Sequence, residues 1–217
     1  MNNIMNKMSE QKHHKNPQFG HHLGIWYPFI WRLLGTNRFW SPSMWLPRES
    51  ALAIDIYIGV WWLLEIVYLF CWKEIGLLGD FFTWLVTILS IFRLTDIMFV
   101  LLSIIVKGNY RREGDWPSVN RVILLVILNS IEVMFLFGVL YYLIGILFPE
   151  IASVSENINN LFDGLYFSFV TGTSLGYGVP HPTGWLSKFF SVAEATSVIL
   201  LIITVFGYIT GVKKNQK

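Results

Sequence analysis

The polar residues of this chain cluster in blocks between long apolar runs. Four runs stand out: Ala51–Trp72, Phe81–Val106, Val122–Phe148 and Leu186–Val212. Each reaches the roughly 20 residues that cross a bilayer as a helix. A further apolar stretch, "LFDGLYFSFV" at Leu161–Val170, has only ten residues and is too short to span. It fits a half-helix that enters and leaves on one side, since at membrane depth every backbone group needs a partner. The pattern predicts an all-α integral membrane protein with four transmembrane helices, one re-entrant helix, and an irregular loop between that helix and the last span.

Composition supports this class. Of 217 residues, 54% are hydrophobic and 14% charged, whereas soluble domains carry about 25% charged residues. Mean hydropathy is +0.52. The net charge of +2 brings no basic patch with it, so a nucleic-acid partner is not expected. The lone Cys71 allows neither an intrachain disulfide nor a multi-cysteine metal site. The first twenty residues are polar and lack the apolar core of a signal peptide. "GIWYPFIWRLLG" and the nearby Phe39, Trp40 and Trp45 read as an interfacial segment, because aromatic rings favour the headgroup level. Pro28 limits the length of any helix there.

Lysine and arginine counts run 6, 1, 4, 1 and 3 over the tail, the three connections and the C-terminus. That alternation predicts both termini in the cytoplasm of a multi-pass cell-membrane protein. The expected organisation is an N-terminal tail at 1–50, a two-helix hairpin at 51–106, a cytoplasmic loop at 107–121, a C-terminal membrane unit at 122–212 and a short tail at 213–217.

The loop "TGTSLGYGVPHP", Thr171–Pro182, carries the candidate chemistry. Glycine reaches positive φ at little cost. Glycines alternating with L-residues let successive carbonyls point the same way, and a column of carbonyl oxygens replaces a cation's water. One chain supplies one side of such a column, so several copies have to meet around an axis. The string T-x-T-S-L-G-Y-G-x-x-x-P closely resembles the potassium-channel signature T-x-T-T-V-G-Y-G-D-x-x-P, whose glycine-rich filter is the standard case of carbonyl-based ion selectivity. The resemblance covers roughly residues 120–212. It implies a pore helix at 161–173 closed by Thr171 and Thr173, an outer helix at 122–148 and an inner helix at 186–212. It also implies ion-binding residues Thr173, Ser174, Leu175, Gly176, Tyr177 and Gly178, with K+ held at Ser174, Leu175, Gly176 and Tyr177. Four copies then make one pore, a homotetramer. Ungapped matching puts Ile199, Ile202, Phe206 and Thr210 on the cavity side. No cofactor beyond the transported K+ and no nucleotide-binding domain is expected.

Three positions depart from the family pattern. Val179 stands where an aspartate usually follows the second glycine, Val170 stands where some members carry its acidic partner, and Ser174 replaces threonine. No acid–acid brace is available behind this filter. Support is expected from packing at Val170 and Val179, from the Tyr177 hydroxyl and from Tyr166.

Ionisable groups inside spans each need a reason. Asp55 and Glu65 fall in the first span, Arg93 and Asp96 in the second. Arg93 and Asp96 share a helix face, and Glu65 is within reach of Arg93 from the neighbouring helix. An internal ion pair of Glu65, Arg93 and Asp96 locking the first two spans is the reading. Voltage sensing fares badly: one charge crossing the field supplies about 2.3 kcal/mol per 100 mV, and no series of basic residues accompanies Arg93. Asn129 and Glu132 share a face of the third span, with no role assigned to the acid. Glu194 is expected to face the outer helix behind the filter, protonated or bonded to Asn129 or a backbone group. Gly207 and Gly211 read as helix packing. His13, His14, His21 and His22 read as tail residues and His181 as a loop residue at the outer mouth.

The function expected is a potassium-selective channel subunit, with a weakly selective monovalent cation channel as the alternative. A membrane enzyme needs a cluster of nucleophile, base or metal ligands that the sequence lacks. A pure scaffold would tolerate replacement of Gly176 or Tyr177.

Overall fold

The computed structural model describes residues 51–77, 79–107, 119–156, 158–176 and 180–215. The N-terminal tail with its aromatic segment and histidines lies outside them, as do Tyr177, Gly178 and Val179. Among the described residues five helices follow in order: α1 Ala51–Leu77, α2 Asp80–Lys107, α3 Val119–Leu147, α4 Leu161–Gly172 and α5 Trp185–Asn215. Among the described residues there is no strand, only an isolated bridge between Val154 and Pro182. Four helices, all but α4, are long and apolar enough to cross a membrane. The all-α, multi-pass membrane class read from the sequence is therefore what the chain adopts.

Local chemistry explains the ends. Gly79 turns the chain at φ 95°, and its carbonyl accepts the amides of Phe82 and Thr83 to start α2. Few residues but glycine take that φ without strain. Helix α3 stops at Leu147, two residues before Pro149, as the restriction ahead of proline favours. The spans run a few residues beyond the apolar runs. Lys73 and Glu74 prolong α1 past Trp72, since polar residues outside the apolar run do not break a helix.

The helix α3 is the hub. It packs against α2, α4 and α5, and its Val133, Leu136, Phe137 and Leu140 form a core with Phe167 of α4 and Leu201 of α5. A second, smaller cluster joins Tyr68 of α1 to Val139 and Leu143 of α3 and Leu161 of α4. Trp72 meets Tyr142 edge-on at 5.4 Å. Hydroxyls inside the spans bond back to the preceding turn, as Thr87, Ser130, Ser197 and Thr204 do, which satisfies them where water is excluded.

Candidate functional site

The short helix α4 starts with a reciprocal cap. The Asn160 side-chain oxygen accepts the Asp163 amide at 3.0 Å, and the Asp163 carboxylate accepts the Asn160 amide at 3.3 Å and the Asn159 amide at 2.9 Å. This satisfies orphan donors at the N-terminus and places a negative charge where the helix dipole favours it. The helix then crosses α3 backbone to backbone. A Cβ on Gly164 would sit 2.5 Å from the Gly138 carbonyl oxygen, and one on Gly138 would sit 2.8 Å from the Leu165 Cα. Neither crossing position admits a side chain.

At the other end, α4 closes in a six-to-one, five-to-two pattern. The Leu175 amide donates to the Val170 carbonyl at 3.2 Å and the Ser174 amide to the Thr171 carbonyl at 3.2 Å. Thr173 is the C-cap, so the helix proper ends at Gly172, one residue short of the sequence expectation. The residue after the cap takes the left-handed conformation, usually as glycine; here it is Ser174, at φ 56°. Gly176 follows at φ 61°. Positive φ thus occurs at alternate residues, Ser174 and Gly176 but not Leu175. The C-terminal carbonyl end of α4, the negative pole of its dipole, leads without a spacer into Ser174–Gly176.

Beyond the loop the chain is pinned to the segment after α3. Ser155 donates its amide to the His181 carbonyl at 2.8 Å, and Thr183 and Gly184 donate theirs to the Ser153 carbonyl at 3.1 and 2.9 Å. Gly184 is needed here, since a Cβ would lie 2.2 Å from the Ile151 carbonyl oxygen.

Behind α4 lies a buried polar network. The Glu194 carboxyl accepts the Tyr141 hydroxyl at 2.9 Å and meets the Ser168 hydroxyl. Ser168 Oγ is also 2.6 Å from the Met134 carbonyl oxygen. The Tyr141 ring packs against Phe167 at 4.6 Å. Glu194 does face the outer helix, but its partners are Tyr141 and Ser168, not Asn129. Tyr141 and Ser168 were not singled out from sequence; a tyrosine and a serine in apolar runs carry no signal until the facing acid is placed.

The intramembrane ion pair is wired differently from expectation. Arg93 Nε and Nη2 fork onto the two Glu132 oxygens at 2.5 and 3.0 Å, and Nη1 reaches Asp96 at 2.9 Å. Tyr57 donates its hydroxyl to Asp96 at 2.8 Å, and the guanidinium lies over the Tyr57 and Trp61 rings at 5.1 and 5.5 Å. Glu132 of α3, not Glu65 of α1, completes the knot, so it ties the hairpin to the outer helix as well as α1 to α2. A planar fork suits two oxygens of one carboxylate, and Glu132 presents them squarely. Glu65 is buried, and its two carboxyl oxygens have no hydrogen-bond partner among the described residues.

The other sequence candidates fall as follows. Val170 is buried, while Tyr166 is half-exposed and makes no hydrogen bond among the described residues. Ile199, Ile202 and Phe206 are exposed along α5, and Thr210 falls on α5 with its side chain outside the description. On α4, Phe162, Tyr166 and Phe169 form an exposed face opposite the buried Gly164, Phe167 and Ser168.

Residues 130–213 match the family model for ion channels. The segment is an ion-channel domain. The match begins within α3 and takes in α4, the glycine-rich loop and nearly all of α5, less than half of the chain. The channel domain thus holds the filter candidates, the Glu194 network and the Glu132 end of the Arg93 knot, whereas α1 and α2 precede it. No curated protein and no solved structure matches the chain.

Proposed function

We propose that the chain is one of four identical subunits of a potassium-selective channel. Potassium moves passively through a pore on the shared axis, with no covalent step. The observation that carries this reading is the junction of α4 with "TSLGYG" inside the ion-channel domain. A helix C-terminus, negative at that end, opens directly into a segment with positive φ at alternate residues. Carbonyls of Ser174, Leu175, Gly176 and Tyr177, with Thr173 and Gly178 at the two ends, would replace the water of a dehydrated K+. The exposed face of α4 and the exposed Ile199, Ile202 and Phe206 of α5 supply apolar surface for neighbouring copies and for the cavity. The positive-inside pattern supports a cell-membrane subunit with both ends in the cytoplasm.

A weakly selective monovalent cation channel is the second reading. Apolar residues at both Val170 and Val179 favour it, since no acidic brace stiffens the filter. Purified protein in liposomes with a potassium gradient tests the first reading: barium-sensitive potassium flux is expected, lost on replacing Gly176 or Tyr177. An assembled oligomer silent under a potassium gradient, or flux indifferent to both replacements, overturns it.

A further inference from the structure

Glu194 is wholly buried on α5, where it faces α3 and α4. One of its oxygens accepts the Tyr141 hydroxyl. The other meets Ser168 Oγ, which lies 2.6 Å from the Met134 carbonyl oxygen. A serine hydroxyl has one proton to give. It cannot donate to the Met134 carbonyl and to the Glu194 carboxyl at the same time. The carbonyl carries no proton, so the second one has to come from the acid.

We propose that Glu194 is held as the neutral carboxylic acid. It donates to Ser168 Oγ, Ser168 donates to the Met134 carbonyl, and the second Glu194 oxygen accepts from Tyr141. In that arrangement every group in the chain is satisfied. An ionised Glu194 would claim the Ser168 proton and leave two lone-pair oxygens, Ser168 Oγ and Met134 O, facing each other at 2.6 Å.

The surroundings agree. Tyr141 from α3 and Ser168 from α4 bond to the acid, and Ser191 of α5 lies 3.2 Å from the Tyr141 hydroxyl. Among the described residues Glu194 makes no ion pair. On α2, which also packs against α5, Arg93 is directed at Asp96 and Glu132. A buried carboxylate with no cation beside it is costly; a buried acid with two hydroxyl partners is not.

The proton joins three helices at one point, close under the filter loop. A Cβ on Gly172, the last residue of α4, would lie 3.2 Å from the same Glu194 oxygen. Glu194 is thus a positioning residue for the C-terminal turn of α4 and, through it, for Ser174–Gly176. Its effect on selectivity rests on the potassium-pore reading; the location of the proton does not.

Infrared difference spectra of the full-length protein in bilayers, wild type minus E194Q at neutral pH, test the proton directly. A carboxylic-acid carbonyl band that E194Q removes, and that shifts in heavy water, is expected. Loss of a carboxylate band instead overturns the proposal. Reversal potentials in mixed potassium and sodium test the positioning role. Glutamine offers both a donor and an acceptor, so E194Q should keep the wild-type permeability ratio. E194A and S168A should lower it by about 5-fold or more, the lower end of measured couplings between separate sites. Wild-type ratios in both E194A and S168A overturn the positioning role. If the alanine variants do not fold, a changed ratio in E194Q overturns it alone. A wild type that carries no potassium removes the pore reading and the positioning role together, while the infrared band still decides the proton.

Discussion

Between α3, α4 and α5 the buried Glu194 is met by hydroxyls, whereas between α2 and α3 the buried Glu132 is met by a guanidinium. The two arrangements do different work. Hydroxyl contacts are short and directional, and together with the Gly138–Gly164 crossing they fix where α4 can lie. The Arg93 knot is a charge lock: its three members are at most 3% exposed, and each depends on the others to offset desolvation. Elsewhere α1, unlike α2, is loosely clothed. Helix α1 is the most exposed of the four spans, and the buried side-chain atoms without hydrogen-bond partners among the described residues, on Trp62 and Glu65, all belong to it. Helix α2 shares the core of the channel domain through Leu94, Ile97 and Leu101, and α1 is latched to the bundle at a few points.

The sharpest way to break this contrast is Arg93→Met. It removes the guanidinium that the buried Glu132 carboxylate faces, a loss of about 3–5 kcal/mol in comparable buried pairs. A large drop in the thermal unfolding midpoint in detergent is expected; an unchanged midpoint would mean that the latch carries little. Gly164→Ala attacks the other half. Its Cβ would meet the Gly138 carbonyl oxygen at 2.5 Å, and overpacking of this kind costs about 1–3 kcal/mol. Separation of α4 from α3 should follow, read as faster proteolysis or loss of the assembled form.

Ser174→Gly goes the opposite way. It relieves a left-handed serine, a conformation costing an L-residue about 1 kcal/mol, and so should raise the midpoint slightly. Ser174→Thr, which restores the family's usual residue, should lower it, because a β-branched side chain tolerates φ near +56° poorly. The smallest effect belongs to Asp55→Asn at the exposed pair with Arg121, 2.7 Å apart. Surface pairs of this kind contribute less than about 1 kcal/mol, and the change in midpoint should be near the error of measurement.

Much of the fold was legible because a bilayer leaves few choices. Runs of about 20 apolar residues become spanning helices, and the ten-residue run at Leu161–Val170 became the short α4 for the same reason. The positive φ at Gly176 was legible because glycines in a greasy chain need a conformational use. The side-chain wiring was not. Arg93 and Asp96 could be paired from their spacing on one helix. The choice between Glu65 and Glu132 depends on how α1 and α3 rotate about their axes, which no local pattern fixes. Tyr141 and Ser168 were invisible for the same reason. Asn160 and Asp163 were different: the Asn-x-x-Asp spacing ahead of an apolar run is a helix-start pattern and was available to be read. Val170 was expected to support the filter through its side chain; its carbonyl, bonded to the Leu175 amide, is the contact that closes α4.

The reversal potential of the reconstituted protein, with potassium on one side of the bilayer and sodium on the other, bears most directly on the proposed potassium pore. A reversal far toward the potassium equilibrium potential, abolished by replacing Gly176, is the expected result. A reversal near zero in a correctly assembled oligomer would contradict it.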